Sequence, residues 1–192
     1  RSLGWTRSVE VISNFTNTER VTPVDRRNVN TPEDAPVVMS MGRFVPRKGF
    51  ALLTEAVAKL PGVYLWIAGD GEEMENVRKL AADIGVTDRV RFLGWQKDTR
   101  PYVAACDIFV MPSSHEPLGN VILEAWAQGK PVVSSRSEGP SGFMRDGDNG
   151  LLADIGDTDG FSRAIERLIN DRQLTDRVVL GGQETLMGQF SE

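Results

Sequence analysis

With 192 residues, of which 40% are hydrophobic and 26% charged, the chain has the size and mix of one soluble globular domain with a short extension. A formal net charge of −5 excludes a nucleic-acid scaffold, although a local basic patch could still hold phosphate. The one cysteine, Cys106, excludes an internal disulfide and points to a reducing compartment, and no apolar run approaches the ~20 residues of a bilayer-spanning helix.

Residues 8–13 alternate apolar and polar and read as a strand. Residues 17–36 are polar, carry Pro23, Pro32 and Pro36, and read as a linker whose Arg20, Arg26 and Arg27 form a solvated face. The first 36 residues are therefore expected to be an N-terminal strand and linker, and 37–192 a single domain. From Val37 the rhythm is regular. Val37–Met41 reads as a strand ending at Gly42-Arg43, followed by a loop to Gly49 and a helix over 50–60 with Leu52, Leu53, Ala56, Val57 and Leu60 on one face. Residues 63–68 form an apolar run of the kind buried on both faces of a parallel sheet, closed by Gly69-Asp70-Gly71 and a helix over 72–84 that stops at Gly85. A strand over 90–93 ends at Gly94-Trp95; a short helix over 99–105 leads to a strand over 108–111. A helix from Val121 stops at Gly129-Lys130, a strand covers 131–134, and 149–153 reads as a short edge strand. Helices are expected over 157–170 and about 174–187, the last interrupted by Gly181-Gly182. Strands alternating with helices predict an α/β, Rossmann-like, doubly wound parallel sheet of about six strands with helices on both faces.

Ligands in such sheets bind beyond the carboxyl ends of the strands. After the first core strand come Gly42, Arg43 and, five residues on, Lys48. An arginine fork and a mobile lysine on one loop suit a diphosphate, and a solvated basic turn is the plainer alternative. Gly69-Asp70-Gly71 starts like a dinucleotide fingerprint, but Met74 stands where a third glycine would be, so a tight turn beside a ligand is the better reading. At Gly94-Trp95 the backbone could edge a flat base, or Trp95 could cover the sheet. After the fourth core strand, Glu116 and Glu124 bracket a strand-to-helix turn with seven residues between them. Gly119 and Asn120 fall at the helix start, where free amides and the helix dipole favour phosphate. Glu124 lies one turn in, and a carboxylate there can take two ribose hydroxyls; Glu116 can reach a second polyhydroxylated group. A loop-to-helix turn with two incidental glutamates is the alternative, but it makes four polar features at one sheet edge coincidental. His115, the one histidine, reads as an exposed loop imidazole, and no Cys/His cluster suggests a metal.

These pieces, in order, resemble the donor-binding C-terminal half of a GT-B glycosyltransferase of retaining family 4 (glycosyl transferases group 1). The resemblance rests on residues 8–14, Gly42-Arg43 to Lys48-Gly49, Ala68 to Gly71, Val90 to Gly94, Glu116 to Ala125, Gly129 to Val133 and Asp146 to Leu152. It implies a hexosyltransferase-type enzyme using a UDP- or GDP-type nucleotide-sugar donor with no obligatory metal or other cofactor. Arg43 and Lys48 would then stabilise the diphosphate leaving group, and Glu116 would contact sugar hydroxyls. Backbone amides at Leu118, Gly119 and Asn120 would hold sugar and phosphate, Glu124 would hold the ribose, and Gly42, Gly69, Gly71 and Gly94 would sit at the donor. Two departures stand out: Leu118 where the family often has Phe, and no glutamate within Gly139–Phe143, where Glu138 lies four residues from Gly142. The resemblance also implies an acceptor-binding domain preceding this chain, which opens on Arg1. Without it the chain would bind donor but transfer sugar poorly. A cytoplasmic location is expected, with peripheral membrane contact left to that other half. A GT-B nucleotide-sugar 2-epimerase is a rival, though such enzymes usually bring histidines to the cleft. A non-catalytic phosphate-binding module such as a receiver is another, though Gly42-Arg43 and Gly69-Asp70 fit its strand ends poorly.

Overall fold

The computed structural model describes residues 17–190, so the strand expected over 8–13 lies outside the described residues. Its centre is made by the strands whose residues are apolar on both faces. β1 (Val37–Met41), β4 (Ile108–Met111) and β5 (Val132–Ser135) are buried at every position. β2 (Tyr64–Ala68), β3 (Val90–Gly94) and β6 (Leu151–Ala153) complete a six-stranded sheet among the described residues, in the order β3-β2-β1-β4-β5-β6. All pairings are parallel, with Val38 opposite Leu65 on one side and Ile108 on the other.

The period-two alternation divides the strand side chains between two cores. Val38, Leu65, Ile67 and Val110 face α1 (Phe50–Ala58), α2 (Met74–Asp83) and α6 (Thr158–Asn170). Met39, Trp66, Phe109 and Met111 face the other way, towards α3 (Arg100–Ala105) and α4 (Asn120–Ala127). The chain starts mid-sheet at β1, winds outward to β3, then crosses back to β4. The loops leaving β1 and β4 therefore diverge and open a crevice between them at the carboxyl ends.

Three expectations are corrected here. Residues 138–143, to which the sequence pattern assigns no helix, form a short one, α5 (Glu138–Phe143). Its glycines and proline disfavour helix by composition. Its position is set by contact instead, since a Cβ on Gly139 would fall 2.6 Å from the Pro117 carbonyl oxygen. The last helix, α7 (Arg172–Gln189), runs through Gly181-Gly182 without a break. A Cβ on Gly181 would meet the Asp148 carbonyl at 2.3 Å, and one on Gly182 the Trp126 ring at 2.5 Å. Close approach to α4 and the β6 loop thus offsets the roughly 1 kcal/mol per glycine that helix propensity costs. Finally, Arg26 does not belong to a solvated face. It donates to the carbonyls of Ala105, Glu33 and Ala35 and pairs with Asp107 at 2.8 Å, while Asp107 also accepts the Val37 amide at 2.7 Å. Arg20 and Arg27 are exposed, as expected.

Candidate functional site

The loops after β1 and β2 touch backbone to backbone. Gly69 has φ +133° and a Cβ there would fall 1.9 Å from the Gly42 carbonyl oxygen. At Gly71 a Cβ would fall 2.5 Å from the Phe44 oxygen, and the Phe44 amide donates to Asp70 at 2.8 Å. Only glycine allows this approach at these dihedrals. The contact puts Arg43 on the rim of a cavity of about 420 Å³ lined also by Gly42, Gly69, Trp95, Gln96, Thr99 and Glu124. Gly71 and Gly94 stand behind its wall: Gly71 seats Phe44, and the Gly94 carbonyl accepts the Gly69 amide at 2.8 Å. Size alone does not mark this cavity, because one of about 470 Å³ lies at the opposite ends of β1 and β4, beside Arg26 and Asp107. Its position at the switch point does.

A second contact pins the β1 loop to the β4 loop. Gly49 starts α1 at φ +70°, and a Cβ there would fall 2.4 Å from the Pro112 carbonyl oxygen. The Ser114 amide donates to the Arg47 carbonyl at 2.8 Å. Lys48 is thereby turned onto Glu116, and its Nζ lies 2.5 Å from Glu116 Oε2, with the side chains 17% and 15% exposed. The other carboxylate oxygen accepts the Gly119 amide at 3.4 Å. Gly119 caps α4 at φ +75° and Asn120 is its first residue, as the spacing predicts. Leu118 projects outward, 57% exposed.

Glu124 is one turn further along α4, half-buried, and among the described residues its carboxylate has no hydrogen-bond or ion-pair partner. Burial, and then the charge of Asp98, raises its carboxyl above the ordinary glutamate range. Arg43 is likewise exposed with no ion pair among the described residues. The structure thus gathers the singled-out residues into two neighbouring groups. Gly42, Arg43, Gly69 and Glu124 line the cavity, while Lys48, Glu116, Leu118, Gly119 and Asn120 form the ridge beside it. The lysine stem links them, since its Cε would lie 3.4 Å from a Cβ on Gly42.

Sequence reasoning missed Gln96 and Thr99, whose one signal is that they follow a strand end; Trp95 was legible as a candidate and is 73% exposed at the cavity. It also missed the pairing of His115 with Glu138. His115 Nδ1 lies 2.8 Å from Glu138 Oε1, and Glu138 Oε2 accepts the Glu116 amide at 3.3 Å. The Glu138 carboxyl is held below the ordinary range by its own backbone amide, His115 and the Glu116 amide. Among the described residues, no acidic, His or Cys cluster is grouped to hold a metal and no helix is long and apolar enough to cross a membrane.

A parallel sheet wound outward from its centre, with a charged crevice at its switch point, defines a Rossmann-like domain of the GT-B type. The chain belongs to the glycosyl transferases group 1 family, whose model matches residues 21–185. It is 68% identical, over 98% of its length, to the lipopolysaccharide core biosynthesis glycosyltransferase LpsE of Rhizobium meliloti (strain 1021), of which it covers 56%. Among solved structures, Anabaena HepE in complex with UDP-glucose superposes with a TM-score of 0.79 at 32% identity, over 82% of this chain and 45% of that one. Sucrose-phosphate synthase from Thermosynechococcus elongatus superposes with a TM-score of 0.84 at 30% identity, over 93% and 47%. The chain spans about half the length of the curated relatives it matches.

Proposed function

We propose that this domain is the donor half of a glycosyltransferase that moves a sugar from a nucleoside diphosphate sugar to an acceptor with retention of configuration. The observation that carries this reading is the cavity at the switch point, where Arg43 faces the same space as a half-buried Glu124, neither of them ion-paired among the described residues. An isolated carboxylate there is costly without a ligand and is met by two vicinal ribose hydroxyls. The diphosphate then lies along Gly42 and Gly69, where the backbone is bare, and reaches Arg43 and Lys48. Cleavage of the anomeric carbon–oxygen bond leaves an oxocarbenium-like sugar and puts negative charge on the departing phosphate. Fixed cations that meet that charge as it grows lower the barrier. Glu116, on the ridge, accepts hydroxyls of the sugar.

HepE, in complex with UDP-glucose, supports a nucleotide-sugar ligand. The lipopolysaccharide core names of the relatives at 68% and 50% identity support a core oligosaccharide acceptor. Titration calorimetry with UDP and GDP tests the donor site. One of them should bind, and Arg43→Ala should weaken it roughly tenfold, the worth of a charge-assisted contact. A chain shown to be folded that gives no heat with either nucleotide at millimolar concentration would end this reading.

A further inference from the structure

Lys48 already has an anion within its own chain. Glu116 Oε2 holds its ammonium at 2.5 Å, and both side chains are less than a fifth exposed. The lysine stem crosses Gly42, so the ammonium sits between the cavity wall and the β4 loop. Glu116 is fixed on every side. Its Oε1 takes the Gly119 amide, its carbonyl takes the Gly139 amide at 2.9 Å, and its own amide donates to Glu138 Oε2 at 3.3 Å. A diphosphate that needs Lys48 therefore arrives at a cation already neutralised, beside a fixed carboxylate of its own sign. Two anions sharing one cation in a partly buried place repel each other. An attached sugar changes the balance, because its hydroxyls donate to the carboxylate oxygens.

We propose that Glu116 is an internal competitor for the diphosphate site, so that the chain holds a nucleoside diphosphate less tightly than it would if Lys48 were unpaired. This rests on the donor-site reading above. Transfer of the sugar removes its hydroxyls from Glu116, Glu116 recaptures Lys48, and the spent nucleoside diphosphate is released. Glu116 thus sets a preference for the sugar-bearing nucleotide over the sugar-free one.

The test is calorimetry of UDP and GDP with the whole chain, in wild type and Glu116→Gln. The substitution keeps the side-chain shape and an oxygen for the Gly119 amide but removes the charge. Whichever nucleotide the wild type binds, the variant should bind roughly five- to tenfold tighter at low salt. The gain should shrink when Lys48→Gln is also present, because there is then no cation to release and only the direct repulsion between carboxylate and diphosphate is left to remove. Glu116→Asp, which draws the carboxylate off Lys48, should move affinity the same way by less. Unchanged or weaker binding in both Glu116 variants overturns the competition, as does a gain that persists undiminished with Lys48→Gln. Binding by wild type without a gain removes this inference alone, whereas no binding by wild type removes the donor-site reading and this with it.

Discussion

Glu116 and Glu124 stand on either side of one helix start and are in opposite electrostatic states. Glu116 is nearly buried and has a cation at 2.5 Å. Glu124 is half-buried and has none among the described residues; the charge of Asp98 adds to burial in disfavouring its ionised form. A paired carboxylate contributes to the fold, because removing one partner leaves the other buried and uncompensated. An unpaired one costs stability until something binds. The crevice thus has a closed end, satisfied by its own side chains, and an open end where Arg43 and Glu124 make no ion pair among the described residues.

The largest expected effect removes the platform common to both ends. Gly69→Ala places a methyl 1.9 Å from the Gly42 oxygen at φ +133° and should cost about 3 kcal/mol or more, read from the denaturant midpoint. A mild loss there would mean that the β1 and β2 loops are not locked together. Glu116→Gln, which strands Lys48, should lower stability by about 1–2 kcal/mol even as it tightens nucleotide. Glu124→Gln should do the reverse, raising stability by roughly 0.5–1 kcal/mol while weakening nucleotide about tenfold.

The pH dependence of Glu124 has a definite sign. Its carboxyl is raised in the folded state, so the fold binds that proton more tightly than the unfolded chain does. The stability advantage is full below the ordinary glutamate range and is lost as pH rises through the raised value. Thermal midpoints of wild type and Glu124→Gln should therefore converge in acid and separate towards neutrality; parallel curves would contradict it. The smallest effect belongs to His115→Ala. Its pair with Glu138 has both side chains more than half exposed, 58% and 61%, and exposed pairs contribute little. Its thermal midpoint should be indistinguishable from wild type, and a clear drop would show that this pair holds the Glu116 loop.

β1, β2 and β4 were legible because each is a mainly apolar run closed by glycine or proline, and burial on both faces demands that pattern. Glu116, Gly119, Asn120 and Glu124 were legible because their spacing is local to one turn and one helix. Arg26 was not, since the carbonyl of Ala105 and the carboxylate of Asp107 that bury it come from a distant part of the chain. Nor was α5, whose composition argues against the helix that packing on Pro117 imposes. Gly181-Gly182 misled for the same reason: propensity marks glycine as a breaker, and only the neighbouring Trp126 and Asp148 show it as a place of close approach.

By itself the sequence determined the α/β alternation, the parallel sheet and the glycine-ended strands, since hydrophobic period and turn chemistry act over a few residues. It also placed two cations and two glutamates at the ligand edge. Which charges meet was decided only by the tertiary structure. Lys48 and Glu116 are joined across 68 positions because Gly49 seats on Pro112, whereas Glu124 makes no ion pair among the described residues, although Arg43 lines the same cavity. Electrostatic state depends on distance and burial, and both are set by how the sheet brings remote loops together.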